Sequence, residues 1–274
     1  MCRMAIMFGP STAVALSYSR ILEALIRSSS EDPYGKALYG EERHGDGWGI
    51  LMVSTSQAGM KVMYWRSVDP LFTDQWVEAM KPIGVEGSYT LIMMHARAAS
   101  TNTPINVFST HPVMSLTRSG YELFMIHNGS FNKDALLKDL EMAGIARNDT
   151  YLANVLLSRI VDSEVTKDAL MKLFTYIKTG ANLGIVLVKD NEAQLVVGSM
   201  FKALNDGKDE VREKYYRLYQ CVDGKITVYS SSTLVDVYGL SRDYSCKPLK
   251  NGEYHLYIIS QRGIRNSGVW VFNP

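Results

Sequence analysis

Cys2 has the most direct route to chemistry of any residue in the chain. A cysteine at the start of an apolar run is ordinarily a small buried hydrophobe. Its small side chain, however, allows removal of Met1, which would leave Cys2 as the first residue. A terminal cysteine carries a thiol and a free α-amine on one carbon. The amine's ordinary pKa of about 7.7–8.0 lets it serve as the base near neutral pH, so nucleophile and base come from one residue. A tetrahedral intermediate then needs donors for its oxyanion. Ile126-His127-Asn128-Gly129 follows an apolar run, and an Asn amide beside a Gly N–H offers two such donors, each worth about 3 kcal/mol. A common Asn-Gly turn competes with this reading, but Gly129-Ser130-Phe131-Asn132 leads toward a helix cap rather than a returning strand. Arg97, in His95-Ala96-Arg97-Ala98-Ala99-Ser100-Thr101, ends another apolar run. A fixed guanidinium beside a hydroxyl suits a carboxylate, and an exposed strand-end arginine fits the segment equally well.

Four of the five histidines, His44, His95, His111 and His127, lie in the first half of the chain. Each alone reads as a residue meeting local polar needs at a strand end. A metal site is the weaker reading, because no HxxxH or HExxH spacing occurs and the histidines would have to converge from separate strands. Cys2, Cys221 and Cys246 form no CxxC pair and are too few and scattered for a disulfide scaffold. They predict a reduced chain without a cysteine-held zinc. No glycine-rich phosphate loop is present, and nothing calls for a flavin, a nucleotide or another cofactor.

The elements that must position these residues are mostly strands. Short apolar runs bounded by Gly, Pro or charge predict strands over 4–8, 49–53, 61–65, 89–95, 122–127, 184–188, 194–198, 215–221, 225–229, 254–259 and 269–272. Val222-Asp223-Gly224 marks a hairpin turn. Helical spacing occurs at Leu16, Ile21, Leu22, Leu25 and Ile26 before Pro33, and at Leu136, Leu137 and Leu140 between an Asn132 cap and Gly144. It recurs at Leu152, Val155, Leu156 and Ile160, and at Leu170, Leu173, Phe174 and Ile177 ending at Gly180. The stretch 73–80 is a lesser helical candidate, and 205–210 reads as a polar loop.

No repeat or linker divides the chain, which predicts one α+β domain over 1–274. With 29 Lys+Arg against 28 Asp+Glu, bulk neutralisation of nucleic-acid phosphates is excluded. A hydrophobic fraction of 46% with 21% charged residues excludes a disordered chain. The apolar start is cut off at Gly9-Pro10, and no run reaches the ~18 residues of a membrane span. The expectation is a soluble, cytoplasmic protein with no membrane partner.

Taken together, these segments resemble the class II glutamine amidotransferases, N-terminal-nucleophile hydrolases whose glutaminase domain begins with the catalytic cysteine. The matching pieces are Met1-Cys2-Arg3, His44-Gly45-Asp46-Gly47-Trp48-Gly49-Ile50, Arg97-Ala98-Ala99-Ser100, Thr110-His111-Pro112, His127-Asn128-Gly129 and Asn148-Asp149-Thr150, in family order. The DGWG segment, with no synthase domain, looks most like the stand-alone branch. The resemblance is dense to about residue 150 and thin beyond. It implies a four-layer αββα fold of two stacked antiparallel sheets between helix layers. It also implies attack by Cys2 on the γ-carbonyl of glutamine or a γ-glutamyl amide, with Asn128 and Gly129 as the oxyanion hole. Arg97 and Ser100 would hold the substrate α-carboxylate with His111 beside them, Asp149 would hold the α-ammonium, and Trp48 would stand near the pocket. Asn148, Asp149 and Thr150 would each also serve as an ordinary helix N-cap. Ser100 stands where the family often has Thr, and Tyr151 where an acidic residue often follows. Implied partners are the small-molecule substrate and a synthase or acceptor subunit receiving ammonia. The alternatives are a dedicated γ-glutamyl hydrolase that ignores free glutamine, and a non-catalytic subunit that keeps the fold.

Overall fold

A strand that is apolar at every position must be covered on both faces, and the first run of the chain, Met4 to Phe8, is of that kind. The computed structural model describes residues 2–81, 87–143 and 146–274. The chain starts with β1 (Cys2–Pro10), α1 (Ser11–Ser30) and α2 (Pro33–Tyr39), followed by β2 (Trp48–Ser56), β3 (Gly59–Ser67), α3 (Trp76–Met80) and β4 (Tyr89–Arg97). Next come β5 (Val113–Leu116), β6 (Glu122–Phe131), α4 (Lys133–Asp139), α5 (Asp149–Ile160), α6 (Lys167–Phe174), β7 (Ile177–Val188) and β8 (Glu192–Ser199). The last part holds α7 (Asp209–Tyr216), β9 (Leu218–Val222), β10 (Thr227–Ser231), α8 (Ser232–Asp236), β11 (Ser245–Pro248), β12 (Glu253–Ser260) and β13 (Gly263–Val271).

The strands form two antiparallel sheets, one in the order β11-β9-β10-β1-β4-β2-β3 and the other β13-β12-β8-β7-β6-β5. Side chains alternate between faces along a strand, and that alternation builds the layers. Met4, Ile6 and Phe8 of β1, with Leu91 and Met93 of β4, meet Phe124 and Ile126 of β6 and Val186 of β7 between the sheets. The intervening Ala5, Met7, Ile92 and Met94 face outward and are covered by Val14, Tyr18, Ile21 and Leu25 of α1. On the other sheet, Leu123, Met125, Leu183 and Ile185 face outward under Leu136, Leu152, Leu157 and Leu170 of α4, α5 and α6. Helix, sheet, sheet and helix thus stack in four layers, the arrangement that the family resemblance implies.

Several local expectations change. Leu16 is 87% exposed and lies off the buried face of α1, and Ile160 is exposed where α5 ends. Ile177 is not helical. The helix stops at Phe174 and Ile177 opens β7, whose pairing continues through Gly180. The polar 205–210 segment enters α7, which takes Tyr215 and Tyr216 from the expected strand start. Asn132 caps α4 by accepting from Ala135 N; the helix ends at Asp139, while Gly144 and Met1 lie outside the described residues. The expectation of a fully reduced chain is corrected too. β11 pairs with β9 so that Cys246 stands opposite Cys221, and a disulfide joins them. They are 25 residues apart in sequence, and only the strand pairing makes them neighbours. No helix among the described residues is long and apolar enough to cross a membrane.

Candidate active site

The alternation that fills the space between the sheets also assembles the site. Cys2 shares a face with Met4 and Ile6, His95 and Arg97 share one with Leu91 and Met93, and Asn128 shares one with Phe124 and Ile126. All four therefore project from the inner faces at one end of the sandwich. Cys2 stands opposite Arg97 and Met4 opposite His95 in the β1–β4 register. Asn128 reaches Cys2 from the other sheet, its Oδ1 accepting from Cys2 N at 3.1 Å. Tyr215, at the end of α7, completes a triangle. Its hydroxyl accepts from Cys2 N at 3.1 Å and donates to Asn128 Oδ1 at 3.2 Å. With Oδ1 held from two sides, Asn128 Nδ2 is left buried with no hydrogen-bond partner among the described residues. A buried donor without a partner costs about 1–3 kcal/mol, and here it belongs to a side chain bonded to the residue that carries the free thiol.

The Cys2 thiol is tuned as well as placed. Burial pushes it up, but nearby positive charge, His95 and a hydrogen bond from Ala98 N–H outweigh that and bring it down from 9.0 to about 6. His95 is oriented by its Nε2, which donates to His127 O at 3.0 Å. Behind β1, the odd-numbered Arg3 faces the helix layer, where it pairs with buried Asp32 at 2.5 Å and lies 4.1 Å over the Tyr215 ring. His44 Nε2 donates to Asp32 at 2.9 Å and Thr233 Oγ1 donates to it at 2.7 Å. Ser231 Oγ, at the end of β10, accepts from Met4 N at 3.0 Å and fixes β1 from its other side.

A cleft of about 830 Å³ opens in front, lined among others by Ala98, Ser100, Gly129, Asp149, Lys178 and Tyr216. Cys2 is 5% exposed and does not itself line the cleft, but Ala98, which does, bonds its thiol through the backbone, and Asn128, the neighbour of Gly129, bonds its N–H. Two glycines make the arrangement possible. Gly129 has φ +149°, and a Cβ there would fall 1.9 Å from Gly180 O. Gly49 lets His111 O approach to 2.4 Å of where its Cβ would be, which sets the backbone at His111.

The structure brings Cys2, Asn128, Gly129, His111, Ser100 and Asp149 to one end of the sandwich. Asn128 and Gly129 lie within β6, paired with Asn182 and Ala181, and not in an Asn-Gly turn. Ser100 is exposed at the cleft. Asp149 accepts from Phe131 N at 2.7 Å, and Asn148 is the residue that caps α5, accepting from Tyr151 N. Arg97 is buried, its guanidinium donating to the carbonyls of Asp46 at 3.3 Å and Pro104 at 3.0 Å. No carboxylate among the described residues pairs with it. His111 is buried against His95 with ring centroids 4.2 Å apart. Trp48 does not line the cleft. It shares the outward face of β2 with Ile50, lies in the core under α1, and donates to Asp74 at 2.8 Å. His44 and His127 meet local polar needs, the latter bonded to Thr150 Oγ1 and Gly180 O, both at 3.0 Å. Sequence reasoning missed Tyr215, whose only signal was a tyrosine pair inside an apparent strand.

Two antiparallel sheets between helix layers, with a cysteine at the open end of the first strand, define the N-terminal-nucleophile hydrolase fold, the glutaminase-domain fold of the class II glutamine amidotransferases. Solved structures that share it include the allosteric regulatory enzyme of purine biosynthesis, at 15% identity and TM-score 0.58 over 96% of this chain, and the glutamine phosphoribosylpyrophosphate amidotransferase from B. subtilis complexed with ADP and GMP, at 14% identity and TM-score 0.54 over 97%. The chain spans about half of their lengths, 48% and 49%. No family model matches it, and no curated protein sequence does.

Proposed function

We propose that the protein is an enzyme that hydrolyses the side-chain amide of glutamine or of a γ-glutamyl compound through a γ-glutamyl thioester on Cys2, once Met1 has been removed. The observation that carries this reading is the divided Asn128 amide, with Oδ1 anchored by Cys2 N and Tyr215 and Nδ2 buried without a partner among the described residues. The freed α-amine takes the thiol proton and sulfur attacks the γ-carbonyl. Asn128 Nδ2 and the Gly129 N–H receive the oxyanion. The amide nitrogen takes the proton from the α-ammonium and leaves as ammonia or an amine. Water then cleaves the thioester and restores the thiol. Arg97 and Ser100 hold the α-carboxylate with His111 supporting that pocket, and Asp149 holds the α-ammonium. Released ammonia is available to a synthase or acceptor subunit.

One observation favours the narrower reading of a γ-glutamyl hydrolase: a cleft of about 830 Å³ has room for far more than one glutamine molecule. The test measures ammonia and glutamate released from glutamine, and cleavage of a γ-glutamyl peptide, with Cys2→Ala in parallel and intact mass recorded. Turnover by wild type alone, with Met1 absent, is expected. Indistinguishable behaviour of Cys2→Ala would leave only a binding role, and full activity with Met1 retained would remove the free-amine mechanism.

A further inference from the structure

We propose that Cys2, His95 and His111 form a binding site for a borderline-soft divalent cation, zinc foremost, seated on the Cys2 sulfur. The three residues come from the start of β1, the end of β4 and the segment before β5, and all are buried. One ligand atom from each lies within 4.8 Å of the other two. A tetrahedral zinc with sulfur near 2.3 Å and nitrogens near 2.0–2.1 Å holds such atoms about 3.5 Å apart. A closure of about 1 Å lies within the reach of the Cys2 χ1 and imidazole torsions.

The nitrogens themselves point to a ligand. Among the described residues neither Nδ1 nor Nε2 of His111 has a hydrogen-bond partner, and Nδ1 of His95 has none besides the Cys2 thiol it faces, though both rings are buried. Buried imidazole nitrogens left without partners are costly, and a metal is one partner that would satisfy one on each ring. The His95 ring is also arranged as liganding histidines are. Its Nε2 donates to the backbone carbonyl of His127 at 3.0 Å, which leaves the lone pair on Nδ1 and fixes the ring, the outer contact that metal-bound histidines make. Thiolate and imidazole together select zinc over magnesium or calcium, which take oxygen ligands. Three protein ligands leave a fourth position for water. His44 and His127, whose ring contacts run to Asp32, Thr150 and Gly180, belong to other networks.

Occupancy would engage the sulfur lone pair, so zinc would act as a reversible cap on Cys2, stopping attack on substrate and shielding the thiol from alkylation. The existence of the site stands on geometry alone, and only the inhibition rests on the function proposed above.

The experiment uses the whole protein, freed of metal with EDTA and dialysed. Zinc titration against a chromophoric chelator is expected to give one equivalent bound. Cobalt(II) in its place should show the intense visible bands of a tetrahedral ion with a thiolate-to-cobalt charge-transfer band, which Cys2→Ser abolishes. Zinc should block carboxamidomethylation of Cys2, and EDTA should restore it; these wild-type readouts need no histidine variant to fold. His95→Gln and His111→Gln should each weaken zinc binding on the order of 100-fold, since even outer contacts of metal ligands are worth 10–100-fold. Cobalt binding without a charge-transfer band, or a folded His111→Gln variant that binds zinc as tightly as wild type, would overturn the site. Zinc binding with every signature above, in a chain that turns over no γ-glutamyl amide, would uphold the site and defeat the catalytic reading instead.

Discussion

At the scale of single residues, the Cys2 thiol is held where ionisation is easy although it is buried. Its pKa near 6 instead of 9.0 means that thiolate is scarce below pH 5 and dominant above pH 7. The rate of iodoacetamide alkylation should therefore rise through pH 6; a midpoint between 8 and 9 would show the local charges to be ineffective. Tyr215 acts on the same residue through its backbone nitrogen, from a position outside the cleft lining. Its hydroxyl ties Cys2 N to Asn128 Oδ1, and burial holds its pKa well above the ordinary value, so it keeps its proton at working pH. Tyr215→Phe keeps the ring under Arg3 but removes the tie. Loss of a hydrogen bond worth about 1 kcal/mol in placing the amide predicts a kcat lower by about five- to tenfold with KM little changed. An unchanged kcat would reduce Tyr215 to a packing residue.

At the scale of elements, β1 is clamped on its outer side by a charge cluster with no access to water. Asp32 and Arg3 are both fully buried, and Asp32 holds the first turn of α2, His44 and Thr233 at once. Burial pushes the Asp32 carboxyl up, but Arg3, His44 and Thr233 outweigh it and hold it well below the usual carboxylate range. A depressed carboxyl gives its stability above its ordinary pKa and loses it as pH falls below. Burial likewise lowers His44 from 6.5 to about 4. The unfolded chain thus takes up a proton from pH 6.5 downward that the folded chain refuses until about 4. Both groups act in one direction, so denaturant midpoints should fall as pH drops from 7 to 4. Asp32→Asn should cost about 3–5 kcal/mol at pH 7, because it leaves Arg3 buried and unpaired. A flat profile, with Asp32→Asn as stable as wild type, would show that the cluster contributes nothing. The elements were largely legible: apolar runs marked the central strands and Asn132 marked a helix start. The edge strands β5 and β11 are four residues long; β11, Ser-Cys-Lys-Pro, carries almost no apolar signal, and the apolar run of β5 is too short to stand out, so pairing and not local pattern defines them. The DGWG segment was legible as a motif, but the resemblance alone put Trp48 near the pocket; even positions of β2 face outward, away from the space between the sheets. Cys2, Asn128 and Gly129 could be chosen from sequence. The contact among Cys2, His95 and His111 could not, since it depends on which strands are neighbours.

At the scale of the molecule, the order of the strands decides how many units unfold. β1, the first strand, pairs with β10 on one side and β4 on the other, so residues 2–10 and 227–231 share one sheet. The second sheet runs from β5 to β13 and takes its strands from both halves. The interior between the sheets joins Met4 and Leu51 to Val197, Tyr257 and Ile259, and no cut in the sequence separates two sets of mutually buried residues. The disulfide ties β9 to β11 within one sheet and does not bridge the layers, so cooperation between sheets rests on that apolar interior. We therefore expect one domain and one cooperative unfolding unit, although a chain of 274 residues has length enough for two. Calorimetry should give a single transition whose calorimetric and van't Hoff enthalpies agree. Loss of Cys2 protection from alkylation and loss of tyrosine near-UV dichroism should share its midpoint. Two resolved transitions, or a Cys2 exposed well before the tyrosines, would mean that the sheets part independently. In that case the donor from β6 and the thiol from β1 would be held together by the Cys2–Asn128–Tyr215 triangle alone.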